Sequence, residues 1–209
     1  MSELNNVSLD LKGLKIVLLG NLLLIISFFY NGPAIIVGFI SNIIILIGLT
    51  ELTHYSNHFQ KTISFTILNM VLSAARINQP QVDIGELPLY YFIVILIRFA
   101  VNIAIYYFIW KGIAELGNMV NNRGVSHDAK VSFRFFSVLT IIEAVSLILY
   151  WINSNQLYFF ATLLLVIVYI TQILYFITLK QSYRSLKSRA IISLGDGEEW
   201  MNHSNASLM

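Results

Sequence analysis

The chain has 209 residues, is 57% hydrophobic and only 11% charged, and has a mean hydropathy of +0.73. Soluble domains carry about 25% charged residues, so this composition belongs with membrane proteins. A net charge of +2, with the basic residues scattered, excludes a nucleic-acid surface, and the lack of any cysteine excludes disulfides, thiolate metal sites and thiol nucleophiles.

Residues 12–30 open with Lys12 and Lys15 and run apolar to Tyr30. A basic start before an apolar stretch resembles a secretion signal, but no small-residue cleavage site follows. Asn31-Gly32-Pro33 follows instead, a turn with proline placed where a new helix can begin, so this is read as a retained first span. The second span, residues 33–52, carries Ala34, Gly38, Ser41 and Gly48 near one face with Asn42 beside them. Such a seam of small residues admits a close neighbour, predicted to be the first span.

A third span is predicted over 60–78. Thr62, Thr66, Asn69, Ser73 and Arg76 recur there at steps of three and four, forming a polar stripe that faces protein or water rather than lipid. The fourth span, residues 88–112, has Tyr90 and Tyr91 at one end and Tyr106, Tyr107 and Trp110 at the other, the expected sign of two lipid–water interfaces. Arg98 lies near its middle. Residues 112–130 are read as a polar loop, 131–153 as the fifth span with Glu143 inside it, and 157–179 as the sixth. Residues 181–209 are expected to be a mobile polar tail.

These elements predict an all-α bundle of six transmembrane helices, built as three antiparallel hairpins. Eleven of the thirteen Lys and Arg residues fall on the side shared by the two termini, leaving Arg76 opposite and Arg98 in the membrane. That asymmetry predicts both termini to be cytoplasmic. IGLTELTHYSN (47–57) and KGIAELGNMVN (111–121) share Gly, Glu-Leu and Asn at matching places, a hint of an internal repeat.

Arg98 and Glu143 are predicted to share a depth near the midplane on separate helices and to pair across the bundle, where an uncompensated charge costs a few kcal/mol or more. Asn102 lies one turn from Arg98; Thr140, Ser146 and Tyr150 share a stripe with Glu143; Asn69 and Ser73 come from the third span, and Thr162, Tyr169 and Gln172 from the sixth. One reading makes the pair a structural lock that fixes helix register, since buried polar groups must be satisfied whether or not they act. The other makes it part of a polar cavity or proton-responsive site. A separate cluster, Glu51, His54, His58 and Glu115, offers two histidines and two carboxylates to a divalent ion, although no HExxH or other zinc signature is present. Against it stands an ordinary polar helix end.

The basic start, a span, a short turn with proline, a span ending IGLTEL and the later YYFIWKGIAEL together resemble small uncharacterised multi-pass membrane proteins of Gram-positive bacteria. The resemblance implies a bacterial plasma-membrane location and carries no site residues. No P-loop, GxSxG or strand-borne GxGxxG appears, which argues against an ATPase or a soluble-type hydrolase.

Three functional expectations follow. The first is a non-enzymatic membrane protein, such as a partner subunit, immunity factor or stress-related factor, with a structural Arg98–Glu143 pair. The second is a small proton- or cation-linked transporter or channel using Glu143. The third is an intramembrane metal-dependent enzyme. Expected partners are the lipid bilayer, another membrane protein or a second copy of the chain, and a small-molecule or ion substrate; no cofactor and no nucleic acid are expected.

Overall fold

The computed structural model describes residues 9–27, 34–74, 88–152 and 166–188, which form six helices and no strand. They are α1 (Lys12–Ser27), α2 (Ala34–Leu52), α3 (Asn57–Ala74), α4 (Leu89–Met119), α5 (Arg123–Ile152) and α6 (166–188). The Asn31–Pro33 turn, Arg76, Thr162, the side chain of Ser73 and the tail from residue 189 lie outside the described residues.

Backbone contact between small residues joins α1 to α2. A Cβ on Gly13 would lie 2.6 Å from the Gly48 carbonyl oxygen, and one on Gly20 would lie 2.9 Å from that of Ser41. As α1 advances from Gly13 to Gly20, its partner falls back from Gly48 to Ser41, so the two helices are antiparallel. The small-residue seam therefore forms at Ser41 and Gly48; Gly38, expected within it, faces nothing within 4 Å.

The α4–α5 connection corrects the sequence reading. Residues 112–130 are not a loop: α4 continues to Met119, α5 starts at Arg123, and three residues make the turn. Two bonds close the end of α4, from the Asn122 N–H to the Gly117 carbonyl at 2.8 Å and from the Asn121 N–H to the Asn118 carbonyl at 3.1 Å. Asn121 sits between them at φ 53°, a left-handed conformation that asparagine tolerates better than most side chains. Asn122 then caps α5 by accepting the Val125 N–H at 3.3 Å on its side chain. Polar residues here decorate a helical hairpin.

The remaining pairs are antiparallel too. Phe59 on α3 lies against Gly112 on α4, while Asn69 meets Arg98 further along. Phe136 on α5 meets Tyr175 on α6, and Asn122 lies 3.5 Å from the Ser185 carbonyl oxygen. Direction thus alternates along the chain, with successive helices from α1 to α5 packed on one another. α4 packs against both α3 and α5. The sixth helix runs to residue 188 with Ser182 and Leu186 buried, so the tail predicted from 181 begins no earlier than 189.

All six helices meet at one end in an apolar core that includes Leu14, Leu49, Leu52, Phe59, Ile113, Leu116, Ala129, Leu179 and Leu186. Trp110 and Tyr106, expected as interface anchors, are buried in this core, and only Tyr107 of the three is exposed. At the far end of α4 and α5 a second cluster forms from Phe92 and Leu147, with Trp151 stacked on Phe92 at 4.4 Å. The polar residues lie between these clusters. Both α4 and α5 are long and apolar enough to cross a membrane, and Val37–Leu52 is a shorter apolar helix.

Candidate functional site: a polar cavity between two apolar clusters

A cavity of about 270 Å³ opens at mid-height, and every helix contributes an amide or an ionisable group to its wall. Asn21 comes from α1, Asn42 from α2, Asn69 from α3, Arg98 and Asn102 from α4, Glu143 from α5 and Gln172 from α6. Counting from the turn at Asn121, Arg98 lies 23 residues back and Glu143 22 residues on, so the antiparallel hairpin sets them at nearly equal depth.

Equal depth does not produce the predicted contact. No direct ion pair joins Arg98 to Glu143; among the described residues, the ion pair found is His58–Glu115. Arg98 turns toward α3, where its Nε donates to Asn69 Oδ1 at 3.2 Å. Glu143 turns toward α6, where Thr171 Oγ1, itself donating to the Ile167 carbonyl at 2.8 Å, sits beside the carboxyl. An adjacent helix offers each charge a polar neighbour, Asn69 of α3 for Arg98 and Thr171 of α6 for Glu143. Glu143 is 6% exposed, and its Oε1 has no hydrogen-bond partner.

The other wall residues are oriented by their own helices. Asn21 Nδ2 donates to the Val17 carbonyl at 2.9 Å and Asn42 Nδ2 to the Gly38 carbonyl at 2.8 Å. Each amide is thereby turned so that its Oδ1 serves as an acceptor. Thr66, also on the wall, donates to the Thr62 carbonyl at 2.9 Å. Toward the core, Tyr106 and Tyr175 line the cavity, with Trp110 and Phe136 packed against Tyr175, which lies 5.1 Å from Tyr106 and 5.3 Å from Phe136, ring centre to ring centre.

Of the expected site residues, the cavity gathers Arg98, Glu143, Asn69, Asn102 and Gln172. It leaves out Thr140, which is buried and donates to the Phe136 carbonyl at 2.9 Å, and the half-buried Ser146 and Tyr169. Asn21, Tyr106 and Tyr175 were not expected. A lone asparagine inside the apolar first span marks Asn21, whereas nothing in the sequence separates the two tyrosines from interface anchors.

The four-ligand metal site is not assembled. α2 ends at Leu52, and His54 falls in the turn that follows, so the helical spacing of Glu51, His54 and His58 is broken. Glu51 and His54 are exposed, and no group of three or more potential ligands forms among the described residues. Glu115 is engaged otherwise: it sits 3.1 Å from His58 Nε2 and accepts a hydrogen bond from Ser56 Oγ. Ser56 Oγ also accepts the His58 N–H at 3.1 Å. The trio fastens the start of α3 to α4.

No protein-family model, no curated protein and no solved structure matches this chain.

Proposed function

We propose that this chain is a multi-pass protein of a bacterial plasma membrane that takes a small hydrophilic solute into its central cavity, acting as a small transporter with Glu143 as the group that meets the solute. The observation that carries this reading is that Glu143 lines a polar cavity and keeps a buried carboxylate oxygen without a hydrogen-bond partner, inside helices with apolar outer faces. A buried carboxylate oxygen without a donor is costly, and a site that keeps one has a use for it.

The exterior supports the membrane part. Only 22% of the apolar stretch of α4 and 28% of that of α5 is buried, too little for core helices of a water-soluble protein. On α5, Val131, Phe135, Val138, Ile142, Val145 and Leu149 are exposed along one face, while Thr140 and Glu143 are buried. This is the reverse of a soluble helix and suits a hydrocarbon solvent. The basic residues Lys12, Lys15, Lys61, Lys111, Arg123, Lys130, Arg134, Lys180, Arg184 and Lys187 belong to one end of the alternating helices, which favours cytoplasmic termini.

The aromatic cluster packed between the cavity and the basic end favours a carrier over an open pore. The alternative, a partner subunit with a purely structural Arg98–Glu143 lock, has less support, since the two groups are held by different neighbours. For a metal-dependent enzyme, no ligand set is assembled among the described residues.

The chain has no cysteine, so one introduced thiol reports on one position. The Asn102→Cys thiol should react with a small, hydrophilic methanethiosulfonate reagent in the folded protein, whereas the Val138→Cys thiol, on the lipid side, should not. An inert thiol at position 102 in protein that still elutes as a folded species removes the solute cavity and this function with it.

A further inference from the structure

We infer that a polar notch between α5 and α6, at the basic end of the bundle, binds the headgroup of phosphatidylethanolamine, with its phosphate toward Ser132 and its ammonium group toward Asp128 and Ser182. The inference rests on the membrane part of the proposed function and is independent of the solute cavity. The notch has a volume of about 210 Å³. Two facing stripes form it: Asp128 and Ser132, four residues apart on α5, and Thr178, Gln181, Ser182 and Ser185 at steps of three, one and three on α6.

The groups in the notch are polar but not used by the protein. Ser132 and Ser182 are 7% and 6% exposed, yet neither side chain has a hydrogen-bond partner among the described residues. The Ser137 hydroxyl is sealed inside the protein; those of Ser132 and Ser182 are not, and both residues line the notch. Thr178 shows the alternative, returning its hydroxyl to the Leu174 carbonyl at 2.8 Å. Asp128 is exposed and makes no ion pair among the described residues, although most of the basic residues lie at this end. Two hydroxyls and a carboxylate are therefore free for an occupant.

Depth identifies that occupant. Phe136 lies against Tyr175 and Asn122 near Ser185, which sets Asp128 level with Gln181 and Ser132 level with Thr178. At this level both outer faces change character. On α5, exposed His127, Asp128 and Lys130 give way to Val131, Phe135 and Val138; on α6, exposed Gln181 and Lys180 give way to Ile177 and Ile173. In a bilayer such a change marks the boundary between headgroups and acyl chains. Ser132 lies one turn nearer the chains than Asp128, the order in which a phospholipid presents its phosphate and its terminal amine. Lys180 leans the same way, with its Nζ 5.9 Å from the centre of the Phe176 ring, and adds positive charge on the phosphate side.

The carboxylate selects the headgroup. An ammonium group brings a positive charge and three donors, which Asp128 and the Ser182 oxygen can accept. A choline headgroup has no N–H to donate, and a glycerol headgroup leaves its negative phosphate beside Asp128 without compensation. A single carboxylate is too few ligands for a divalent ion. The notch is smaller than the roughly 300–1,000 Å³ of a drug-sized pocket, which suits a headgroup whose chains run on along Val131 and Phe135.

The test uses the full chain in mild detergent and measures lipid binding by native mass spectrometry. Phosphatidylethanolamine, phosphatidylcholine and phosphatidylglycerol with identical chains are compared. The ethanolamine lipid should bind at least fivefold more tightly than either of the others. Asp128→Asn, a change at an exposed residue, should reduce that preference below twofold without weakening phosphatidylglycerol. Ser132→Ala with Ser182→Ala should weaken the ethanolamine lipid at least threefold.

Equal binding of the three lipids, or a preference that survives Asp128→Asn, overturns the inference. So does displacement of the lipid by an equal concentration of soluble phosphoethanolamine, which would make the ligand a free solute. A chain that stays folded and monodisperse without detergent or lipid removes the membrane reading itself. A chain that needs them but shows no headgroup preference loses only the notch.

Discussion

The hydrogen bond between Arg98 and Asn69 bears on where one of the two cavity charges points. By donating its Nε–H to Asn69 Oδ1, Arg98 is held on the α3 side of the cavity. A buried donor that loses its acceptor costs about 1–3 kcal/mol, while replacing both partners by apolar groups can be nearly neutral. Asn69→Leu should therefore lower stability by about that amount, and Asn69→Leu with Arg98→Leu should cost less than the sum of the single changes. Thermal unfolding of the purified variants in one detergent measures both. A silent Asn69→Leu would mean that the bond does not position the guanidinium. Arg98, Glu143, Asn69, Asn102 and Gln172 were legible in the sequence because a charge or amide inside an apolar run has few innocent explanations. Their partners were not, because equal depth says nothing of the direction a long side chain takes around the helix axis.

At the scale of helices, the α1–α2 seam makes a contrast that tests the packing itself. A Cβ at Gly48 would come within 2.6 Å of the Gly13 carbonyl oxygen and 2.7 Å of the Val17 backbone nitrogen, and backbone atoms cannot step aside without moving the helix. Gly48→Ala should cost about 1–3 kcal/mol, in the usual range for overpacking. Gly38→Ala, one residue type on the same helix but facing open space, should be neutral or slightly stabilising, since alanine is the better helix former by about 0.8–1.0 kcal/mol. Equal effects at the two sites would show that the seam is not where α1 and α2 touch. The presence of six helices was readable from apolar periodicity and spacing, and the seam from small residues. Polarity misled where it stood in for a loop: residues 112–130 carry charges because they form the two ends of a long hairpin. The turn itself is marked only by the Asn121–Asn122 pair. The echo between 47–57 and 111–121 shows the same limit. Leu52 and Leu116 are both fully buried, yet the first copy ends its helix after Leu52 and the second continues to Met119.

For the whole molecule, the order of solvents is inverted: apolar side chains outside, a polar space at mid-height, and an apolar cluster at each end. That arrangement suits a medium that welcomes the outer face, in keeping with the proposed membrane location. At about 1.5 Å per residue, the 31 residues of α4 reach roughly 46 Å, well beyond the ~30 Å of a bilayer's hydrocarbon core. The surplus falls at the hairpin with α5, where Lys111, Arg123, Asp128 and Lys130 are exposed and where ten of the eleven Lys and Arg among the described residues gather, Arg98 being the exception. The proposed topology thus places both ends of one helix in water, on opposite sides of the membrane. Leu89 and Asn118 mark those ends, both exposed and about 44 Å apart along the axis. Leu89→Cys should react with a membrane-impermeant maleimide in intact cells. Asn118→Cys should react only after the membrane is opened, because its end of the bundle carries the positive charge that is retained in the cytoplasm. Labelling of both sites in intact cells would mean that α4 does not cross, and the reversed pattern would turn the termini outward. The reversed pattern would leave the cavity's lining in place and move the aromatic cluster beside it to the other side, so that the proposed solute would enter from the cytoplasm instead of from outside.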